Sequence, residues 1–219
     1  MLVVRRAVVG PFAENTWLAA CDRTGEAVLV DPGGEVPRVL ALAEPGGFQV
    51  KRIFLTHAHV DHVAGAAEAR RRLGATLQLH AADREWLAML PRQFEMFGFE
   101  EEGEVPEVDR WHEDGETFAV GDITARVIHT PGHSRGSCSL WLEGPRVLFT
   151  GDTLFSGSVG RTDLPGGDFA ALQRSIAGRL FPLGDDVTFH CGHGPSGQLG
   201  DERRSNPFVG EGVPRGRFV

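Results

Sequence analysis

The first part of the chain alternates short apolar runs with polar turns, which is the pattern of successive β-strands. The runs are LVVRRAVV from Leu2, NTWLAAC from Asn15 and EAVLVDPGG from Glu26, and the third ends in a Pro-Gly-Gly turn signal. A helix is predicted over residues 35–44 and an apolar strand over residues 52–56. The chain is therefore expected to open with β-structure.

Helices and strands alternate in the rest of the chain. The run VAGAAEARRRL, residues 63–73, has Ala and Leu on one helical face and Arg and Glu on the other. A strand at 76–79 and a helix at 81–90 follow, and the stretch from Pro91 through the acidic run EEGEVPEVD predicts a connector or an exposed lip. Further strands are predicted at 123–129, 137–142, 146–150 and 187–191, with a helix that Asp168 caps before FAALQRSIAGRL.

Two halves of strands followed by helices predict two sheets packed face to face with helices outside. The expected fold class is therefore α/β, a four-layer αββα sandwich. With 219 residues and no Gly- or Ser-rich linker, we predict a single domain over residues 1–219. A short helix is expected after Gly200, with loosely ordered residues at the C-terminal end.

Charge and cysteine usage limit the partners and the compartment. The formal net charge of −8 provides no cationic field for a phosphate backbone, so nucleic acid is not an expected partner. Three cysteines at wide spacing are typical of reduced thiols in a cytosol. Pro11 and Glu14 interrupt the apolar N-terminal stretch, and no window approaches the roughly 18 apolar residues of a membrane span. We expect a cytoplasmic protein with no membrane partner; the sequence does not indicate its oligomeric state.

The segment HAHVDH concentrates four potential metal ligands, His57, His59, Asp61 and His62, at a predicted strand-to-helix corner. Imidazole nitrogens and carboxylate oxygens are ligands that Zn²⁺ and similar cations accept. Alternation in an extended segment sends His57 and His59 to the same side. A polar loop without a ligand is the competing interpretation, and the density of four such residues in six argues against it.

Three later residues share one context, because each lies beside a glycine at a predicted strand end or in a tight loop. They are His133 in TPGHS, Asp152 in FTGDT and His193 in CGHGP. Glycine allows the backbone to approach a ligand closely, and strand C-termini are where sheets of this class place their sites. Singly, each residue is equally typical of a turn; together with HAHVDH they predict one metal site.

The order HxHxDH, His, Asp, His resembles the metallo-β-lactamase superfamily over essentially the whole chain. Within it, GDTLFSGSVGRTDLPGGD and GHGPSGQLGDERRSNPF resemble the short branch of glyoxalase II-like (hydroxyacylglutathione hydrolase-like) proteins, which lack the extra C-terminal helical domain. The resemblance implies two divalent metal ions, zinc first and iron or manganese as alternatives. One metal would be held by His57, His59 and His133, the other by Asp61, His62 and His193, with Asp152 bridging them.

That ligand set implies hydrolysis by a metal-bridging hydroxide, because two cations sharing a water lower its pKa toward neutrality. A thiolate is a good leaving group, so the expected substrate is a small acyl-thiol, a hydroxyacyl thioester. Asp61 is the predicted catalytic residue, which orients the nucleophile and accepts its proton as well as binding metal.

Two further residues have weaker support. Asp31, at the end of VLVDPGG, is predicted either to hold a ligand imidazole by its outer nitrogen or to cap a turn. Arg161, in GSVGRTD, is predicted either to bind a substrate carboxylate or to pair with Asp163 or Asp168. His80, His112, His129 and His190 fit no ligand spacing, so hydrogen bonding in solvent or in the core is expected for each.

Several alternatives stay open at this point. The chain has no Tyr and one Lys, so glutathione recognition through those residues is not supported, and Arg161, Arg203 and Arg204 are candidates for the thiol part. A persulfide dioxygenase-like enzyme with one iron shares HxHxDH and a GRTD segment and is the leading alternative. A lactonase or other ester hydrolase is a further one, although superfamily lactonases typically use a tyrosine. A β-lactamase is disfavoured by Asp152, where those enzymes carry Cys or Ser.

Overall fold

Residues 1–99 and 103–214 are described by a computed structural model. The first of two six-stranded sheets holds most of the N-terminal half. Its strands, in order across the sheet, are Leu2–Val9 (β1), Glu14–Cys21 (β2), Glu26–Val30 (β3), Gln49–Phe54 (β4), Thr76–His80 (β5) and Arg110–His112 (β6). The pairs from β1 to β3 are antiparallel, and those from β3 to β6 are parallel.

The second sheet holds most strands of the C-terminal half. In chain order the strands of that half are Thr117–Val120 (β7), Ile123–His129 (β8), Cys138–Leu142 (β9), Val147–Gly151 (β10), Leu154–Phe155 (β11), Ser158–Val159 (β12), Thr188–Cys191 (β13) and Gly197–Gln198 (β14). Across the sheet the order is β14-β13-β10-β9-β8-β7, while β11 and β12 form a separate short hairpin. β10 and β13 are parallel, and the other neighbours in the sheet are antiparallel.

Helices connect the strands. They are Val36–Leu40 (α1), Val60–Val63 (α2), Ala66–Leu73 (α3), Arg84–Ala88 (α4), Leu90–Phe97 (α5), Phe169–Ser175 (α6) and Leu199–Ser205 (α7), with a π-helical turn at Ile176–Leu180 and 3₁₀ turns at Glu44–Gly46, Ala81–Asp83 and Phe181–Leu183. α6 begins where predicted, because the Asp168 carboxylate accepts a 2.9 Å hydrogen bond from Ala171 N. No helix in 1–99 or 103–214 is long and apolar enough to cross a membrane.

Three apolar cores separate four layers. Along β3, Val28 and Val30 point into the core between the two sheets, whereas Leu29 points to the opposite face. On that opposite face the first sheet packs against α2, α3 and α5, through residues such as Val63, Ala66 and Leu90. The second sheet packs its outer face against α6 and the turn after it, through Leu148, Leu172 and Ile176. Both sheets are thus apolar on both faces, and the predicted sandwich is confirmed.

Strand direction brings distant segments to one edge of the sandwich. β3 and β4 run parallel in the first sheet, and β8, β10 and β13 run in a common direction in the second. The loops that follow these five strands therefore leave from the carboxyl ends of their strands, where open α/β sheets bind ligands. The seven predicted metal ligands and Asp31 lie in these loops or in the short helix α2 that begins in one of them.

The structure differs from several of the predicted elements. The connector predicted from Pro91 is wrong in its first part, because α5 is helical to Phe97 and Pro91 occupies its first turn, where the missing N–H needs no partner. Residues 103–109 form the connector, with no helix or strand. The short strands β6 and β7 were not predicted. The helix expected over 63–73 is two helices, because the Gly65 N–H donates a 2.9 Å hydrogen bond to the Pro32 carbonyl and not to a carbonyl of the preceding turn. Residues 100–102 of the acidic stretch and the last five, 215–219, lie outside the described residues, so the single domain over 1–219 stays a prediction.

Candidate metal centre

The loops at this edge bring together the seven predicted ligands. They are His57, His59, Asp61 and His62 after β4, His133 after β8, Asp152 after β10 and His193 after β13. α2 begins at Val60, directly after the extended residue His59. It is a single turn of four residues and carries Asp61 and His62. The corner predicted for HAHVDH is therefore present, and it sends its four side chains toward the second sheet.

Three imidazoles form the first group. His133 Nε2 lies 3.2 Å from His57 Nε2 and 2.9 Å from His59 Nδ1, and all three rings are buried. Burial, with the neighbouring His133, lowers the pKa of His59 to about 3, and burial lowers the pKa of His57 as well. The rings of His57 and His59 are therefore neutral, and neutral imidazole is the form that donates a lone pair to a metal.

The second group consists of Asp61, His62 and His193. Asp61 Oδ2 lies 3.2 Å from His193 Nε2 and 3.7 Å from His62 Nε2. Burial lowers the pKa of His193, but Asp152 and Asp61 outweigh it and raise that pKa to about 9; the same two carboxylates raise the pKa of His62. Protons on these rings balance two ionised carboxylates, and a bound divalent cation would balance the same charge.

Asp152 lies between the two groups. Its Oδ1 is 3.3 Å from His62 Nε2, and its Oδ2 is 3.5 Å from His193 Nε2 and 3.7 Å from His133 Nε2. Gly192 allows this approach, because a Cβ there would collide with Asp152 Oδ1 and with the His62 ring. One carboxylate therefore faces nitrogens of both groups, which is the position that a bridging ligand needs.

The donor set fits a pair of divalent cations. His62 Nε2 and Asp152 Oδ1 are buried and make no hydrogen bond, although buried polar atoms nearly always have a partner. A cation between them would satisfy both atoms. Imidazole nitrogens with carboxylate oxygens suit Zn²⁺, Fe²⁺ or Mn²⁺, whereas closed structural zinc sites are mostly rich in cysteine.

The outer nitrogens of four ligand rings each face an oxygen. Thr56 Oγ1 is 3.0 Å from His57 Nδ1, and the carbonyl oxygens of Arg161 and Phe12 are 2.8 Å and 3.2 Å from the Nδ1 atoms of His133 and His193. Asp31 Oδ2 is 2.9 Å from His62 Nδ1. A carbonyl or carboxylate oxygen can only accept, and the Thr56 hydroxyl already donates to Asp31, so each Nδ1 donates. The inner Nε2, once it carries no proton, then has its lone pair for a cation.

Asp31 makes the outer contact that was one of its two predicted roles. Its Oδ1 also accepts a 2.7 Å hydrogen bond from Thr56 N, and its Oδ2 one of 2.6 Å from Thr56 Oγ1. The backbone of Asp31 has φ +49°, in the left-handed region that non-glycine residues rarely adopt. The carboxylate thus links the end of β3, the end of β4 and His62.

Arg161 makes the structural pair that was its alternative prediction. Its guanidinium donates two hydrogen bonds of 2.7 Å to the Asp163 carboxylate, and both side chains are exposed. Arg203 pairs with Asp185, and Arg204 Nη2 lies 2.7 Å from Asp201 Oδ1. Neither of these last two arginines lines the cavity above the ligands, so this cavity gives no support to the prediction that they bind the thiol part of the substrate.

The other four histidines lie outside the ligand groups. His190 Nδ1 is 2.7 Å from Ser196 Oγ, and His129 Nε2 is 2.8 Å from the Arg135 carbonyl oxygen. His80 stacks on His129 with ring centroids 4.2 Å apart. His112 is buried against Phe54, and neither of its ring nitrogens has a hydrogen-bond partner.

Sequence reasoning missed two buried side chains that hold the ligand loops. Asp83 Oδ2 accepts hydrogen bonds from Ala58 N at 3.1 Å and Ser134 Oγ at 2.7 Å, which ties the loop of His59 to the loop of His133. Gln93 accepts from Val60 N at 3.0 Å and donates to the Ala58 carbonyl at 3.1 Å. Asp83 belongs to a predicted helix and Gln93 to a predicted connector, and only the tertiary structure brings them to the ligand loops.

Glu14 was missed as well. It is fully buried at the start of β2, with Oε1 3.8 Å from His62 Nδ1 and Oε2 accepting a 3.0 Å hydrogen bond from Thr16 Oγ1. Burial raises the pKa of this carboxyl. A lone acidic residue that opens a strand of apolar and small residues was the available signal.

A cavity of about 470 Å³ opens above the ligand atoms. Its floor is formed by His59, Asp61, His133, Asp152 and His193. Its walls are mostly apolar and come from the β1–β2 turn, the end of α5 and the segment 155–164. A small molecule entering it would meet both ligand groups at once.

A sequence profile of the metallo-beta-lactamase superfamily matches residues 9–193, a range that contains all seven predicted ligands. The chain belongs to this superfamily. Hydroxyacylglutathione hydrolase GloC of Haemophilus influenzae, a relative, is 36% identical over 208 residues, which cover 92% of this chain and 95% of GloC. Membership and the ligand groups together make the chain a metal-dependent hydrolase of the superfamily.

Solved members of the superfamily have the same fold. The BLEG-1 B3 metallo-beta-lactamase superposes with a TM-score of 0.87 and 33% identity, over 94% of this chain and 99% of that one. TTHA1623, solved in a di-iron-bound form, superposes with a TM-score of 0.84 and 36% identity, over 94% of this chain and 100% of that one. The resemblance predicted from the motifs is confirmed at the level of the superfamily and its fold.

Proposed function

We propose that the chain is a dinuclear metal-dependent hydrolase that cleaves small acyl thioesters of the hydroxyacyl-thiol kind. The observation that carries this proposal is the position of Asp152, whose carboxylate lies within 3.7 Å of ring nitrogens from both ligand groups at the floor of an open cavity. The likeness to GloC supports the thioester. The partner is then a small molecule, with no nucleic acid and no membrane involved.

Each residue has a defined part in this proposal. His57, His59 and His133 would hold one cation, Asp61, His62 and His193 would hold the other, and Asp152 would contact both. Two bound divalent cations would activate a shared water and polarise the thioester carbonyl, so no side-chain nucleophile is needed. Zinc is the first candidate and iron or manganese the others; the di-iron form of TTHA1623 supports iron as a real alternative.

Asp61 is the proposed proton acceptor. Its side chain is 16% exposed and lines the cavity, where it can meet an incoming water. Burial raises the pKa of Asp61, but the charge on His62 outweighs it and keeps the carboxyl ionised. An ionised carboxylate can orient the attacking water and take its proton. An Asp61→Asn variant that kept two metals and full activity would exclude this role.

The test combines metal analysis with a substrate panel. Protein purified with its native metals is measured for zinc, iron and manganese and then assayed anaerobically for release of thiol from an S-lactoyl thioester. Two metals per chain and oxygen-independent hydrolysis are expected. The opposite result would be one iron per chain, oxygen uptake on a persulfide and no thioester cleavage. It would exclude the proposal in favour of the persulfide dioxygenase hypothesis.

A second candidate is β-lactam hydrolysis, which Asp152 disfavours but the likeness to BLEG-1, at 33% identity, favours. Nitrocefin therefore belongs in the panel, together with a lactone. Turnover of nitrocefin with a kcat/KM above that for every thioester would make β-lactam hydrolysis the main activity. Preference for the lactone would make the chain a lactonase without the tyrosine typical of that group.

A further inference from the structure

The cavity above the ligand groups has a wall that is almost entirely apolar. Beyond the ligands, the described residues that line it include the half-buried side chains of Phe97, Phe155, Val159 and Leu164 and the exposed ring of Phe12. These side chains come from the β1–β2 turn, the end of α5, the β11–β12 hairpin and the loop after it. Several independent segments therefore contribute apolar surface to one wall.

The aromatic side chains are packed together and not merely exposed. Phe12 contacts Phe97 edge-on, with ring centroids 6.0 Å apart, and Phe99 with centroids 5.6 Å apart. Phe155 lies edge-on to His193, with centroids 6.0 Å apart. Phe12 is 44% exposed despite these contacts, so one side of its ring faces the open cavity. A preformed apolar surface of this kind binds an apolar group at a low ordering cost.

Charged groups for binding a polar thiol are scarce at the same wall. Among the described lining residues the one arginine is Arg161, and Asp163 occupies two of its donors. The single lysine, Lys51, is exposed on β4 and pairs with Gln49, away from the cavity. A glutathione thioester carries two carboxylates, and placing them against phenyl rings without partners is unfavourable.

We infer that the thiol portion of the substrate is apolar and uncharged, and that Phe12, Phe97 and Phe155 select it. This inference rests on the proposed thioester hydrolysis and concerns the leaving thiol alone. The acyl carbonyl has to reach the ligand groups at the floor, so the thiol portion lies along the aromatic wall. The preference for an apolar thiol is then set by contact with the rings and by the lack of an unpaired basic side chain for a carboxylate.

The test compares S-lactoyl thioesters that share the acyl group and differ in the thiol. The thiols are benzyl mercaptan, 3-mercaptopropionamide, 3-mercaptopropionate and glutathione, and the amide and carboxylate form an isosteric pair that differs by one charge. We expect kcat/KM for the benzyl thioester to exceed that for the glutathione thioester at least about tenfold, and the amide to be preferred to the carboxylate.

Two variants on α5 distinguish the contribution of the aromatic wall to substrate preference from non-specific effects of a substitution in this helix. Phe97→Ala should lower kcat/KM for the benzyl thioester about tenfold, mainly through KM, and change the amide thioester little. Met96→Ala is the matched control, because Met96 precedes Phe97 on α5, is 59% exposed and does not line the cavity. Equal losses for both thioesters in Phe97→Ala would contradict selection by the ring.

Arg161→Gln tests the opposite possibility. If the inference is right, this variant leaves the ratio between the amide and carboxylate thioesters unchanged. A selective loss on the carboxylate and glutathione thioesters, or a wild-type preference for them, would overturn the inference and leave thioester hydrolysis intact. Failure to hydrolyse any thioester would instead overturn the proposed function, and the inference with it.

Discussion

Asn206 Nδ2 donates a 2.7 Å hydrogen bond to Glu202 Oε2 on α7, and both side chains are buried. The same Glu202 oxygen accepts a 2.9 Å hydrogen bond from Gly157 N, and Asn206 Nδ2 lies 3.1 Å from the Ser158 carbonyl oxygen. The segment ERRSNPF thereby holds the turn of the β11–β12 hairpin. That hairpin carries Phe155 and Val159 of the cavity wall, so the C-terminal helix supports the substrate side of the centre.

Glu202→Ala should raise KM several-fold with a smaller change in kcat, because it releases the hairpin without touching a ligand. It should also lower the free energy of unfolding by about 1–3 kcal/mol, since the Gly157 N–H and the buried Asn206 amide lose their acceptor. Steady-state kinetics and denaturant unfolding measure the two effects. Arg204→Ala, on the same helix but exposed, is the control, and a stability loss with unchanged KM would limit Glu202 to folding.

Asp31→Asn should weaken metal binding about 10- to 100-fold, because it replaces the charged acceptor of His62 Nδ1 with an amide. Competition with a chromogenic chelator measures the affinity, and kcat per bound metal should change less. Asp22→Asn, at an exposed carboxylate just after β2, is a matched control that should bind metal like the wild type. Unchanged affinity in Asp31→Asn would show that the contact between Asp31 and His62 does not affect metal binding.

Asp152→Ala should remove at least one metal and lower turnover about 100-fold or more, because the variant lacks the carboxylate that faces both ligand groups. The fold should survive, because the variant also removes a buried charge. Metal content, kinetics and the circular dichroism melting curve of the metal-free protein check these expectations. A variant that no longer folds would point to a structural metal site and against a catalytic one.

His112 should make the metal-free protein less stable in mild acid. Burial, with His80 and His129 nearby, lowers its pKa in the folded state to about 3, whereas an unfolded His titrates near 6.5. The unfolded chain therefore binds this proton first, and stability present above pH ~6.5 is lost as the pH falls toward ~3. The slope is at most about 1.4 kcal/mol per pH unit for one group.

His112→Phe isolates that contribution. Phenylalanine retains the stacking on Phe54 and leaves no unsatisfied ring nitrogens. With a chelator present, the ligand residues titrate in both proteins alike, so the difference in unfolding free energy between pH 8 and pH 5 belongs to position 112. We expect the variant to lose less stability over this range. Equal pH dependence in the two proteins would mean that His112 is already protonated, or already exposed, in the folded state.

The sequence alone determined the fold class and which residues meet at the candidate metal centre. Alternating apolar runs predicted most strands, and Asp168 predicted the start of α6, because strand periodicity and helix capping depend on neighbours along the chain. HAHVDH and the later Gly-flanked His133, Asp152 and His193 were visible because metal ligands must be particular residue types. The short strand β6 was missed, since three residues carry no detectable period.

Only the tertiary structure decided how those residues are supported. The acceptors on the outer nitrogens of the ligand rings include the Phe12 and Arg161 carbonyls, and backbone oxygens carry no sequence signature. Asp83 and Gln93 reach the ligand loops from other segments, and the sequence left two roles open for Arg161 until Asp163 was seen beside it. The sequence gives the type of each residue directly, whereas the orientation of its side chain depends on which strand ends meet in the fold.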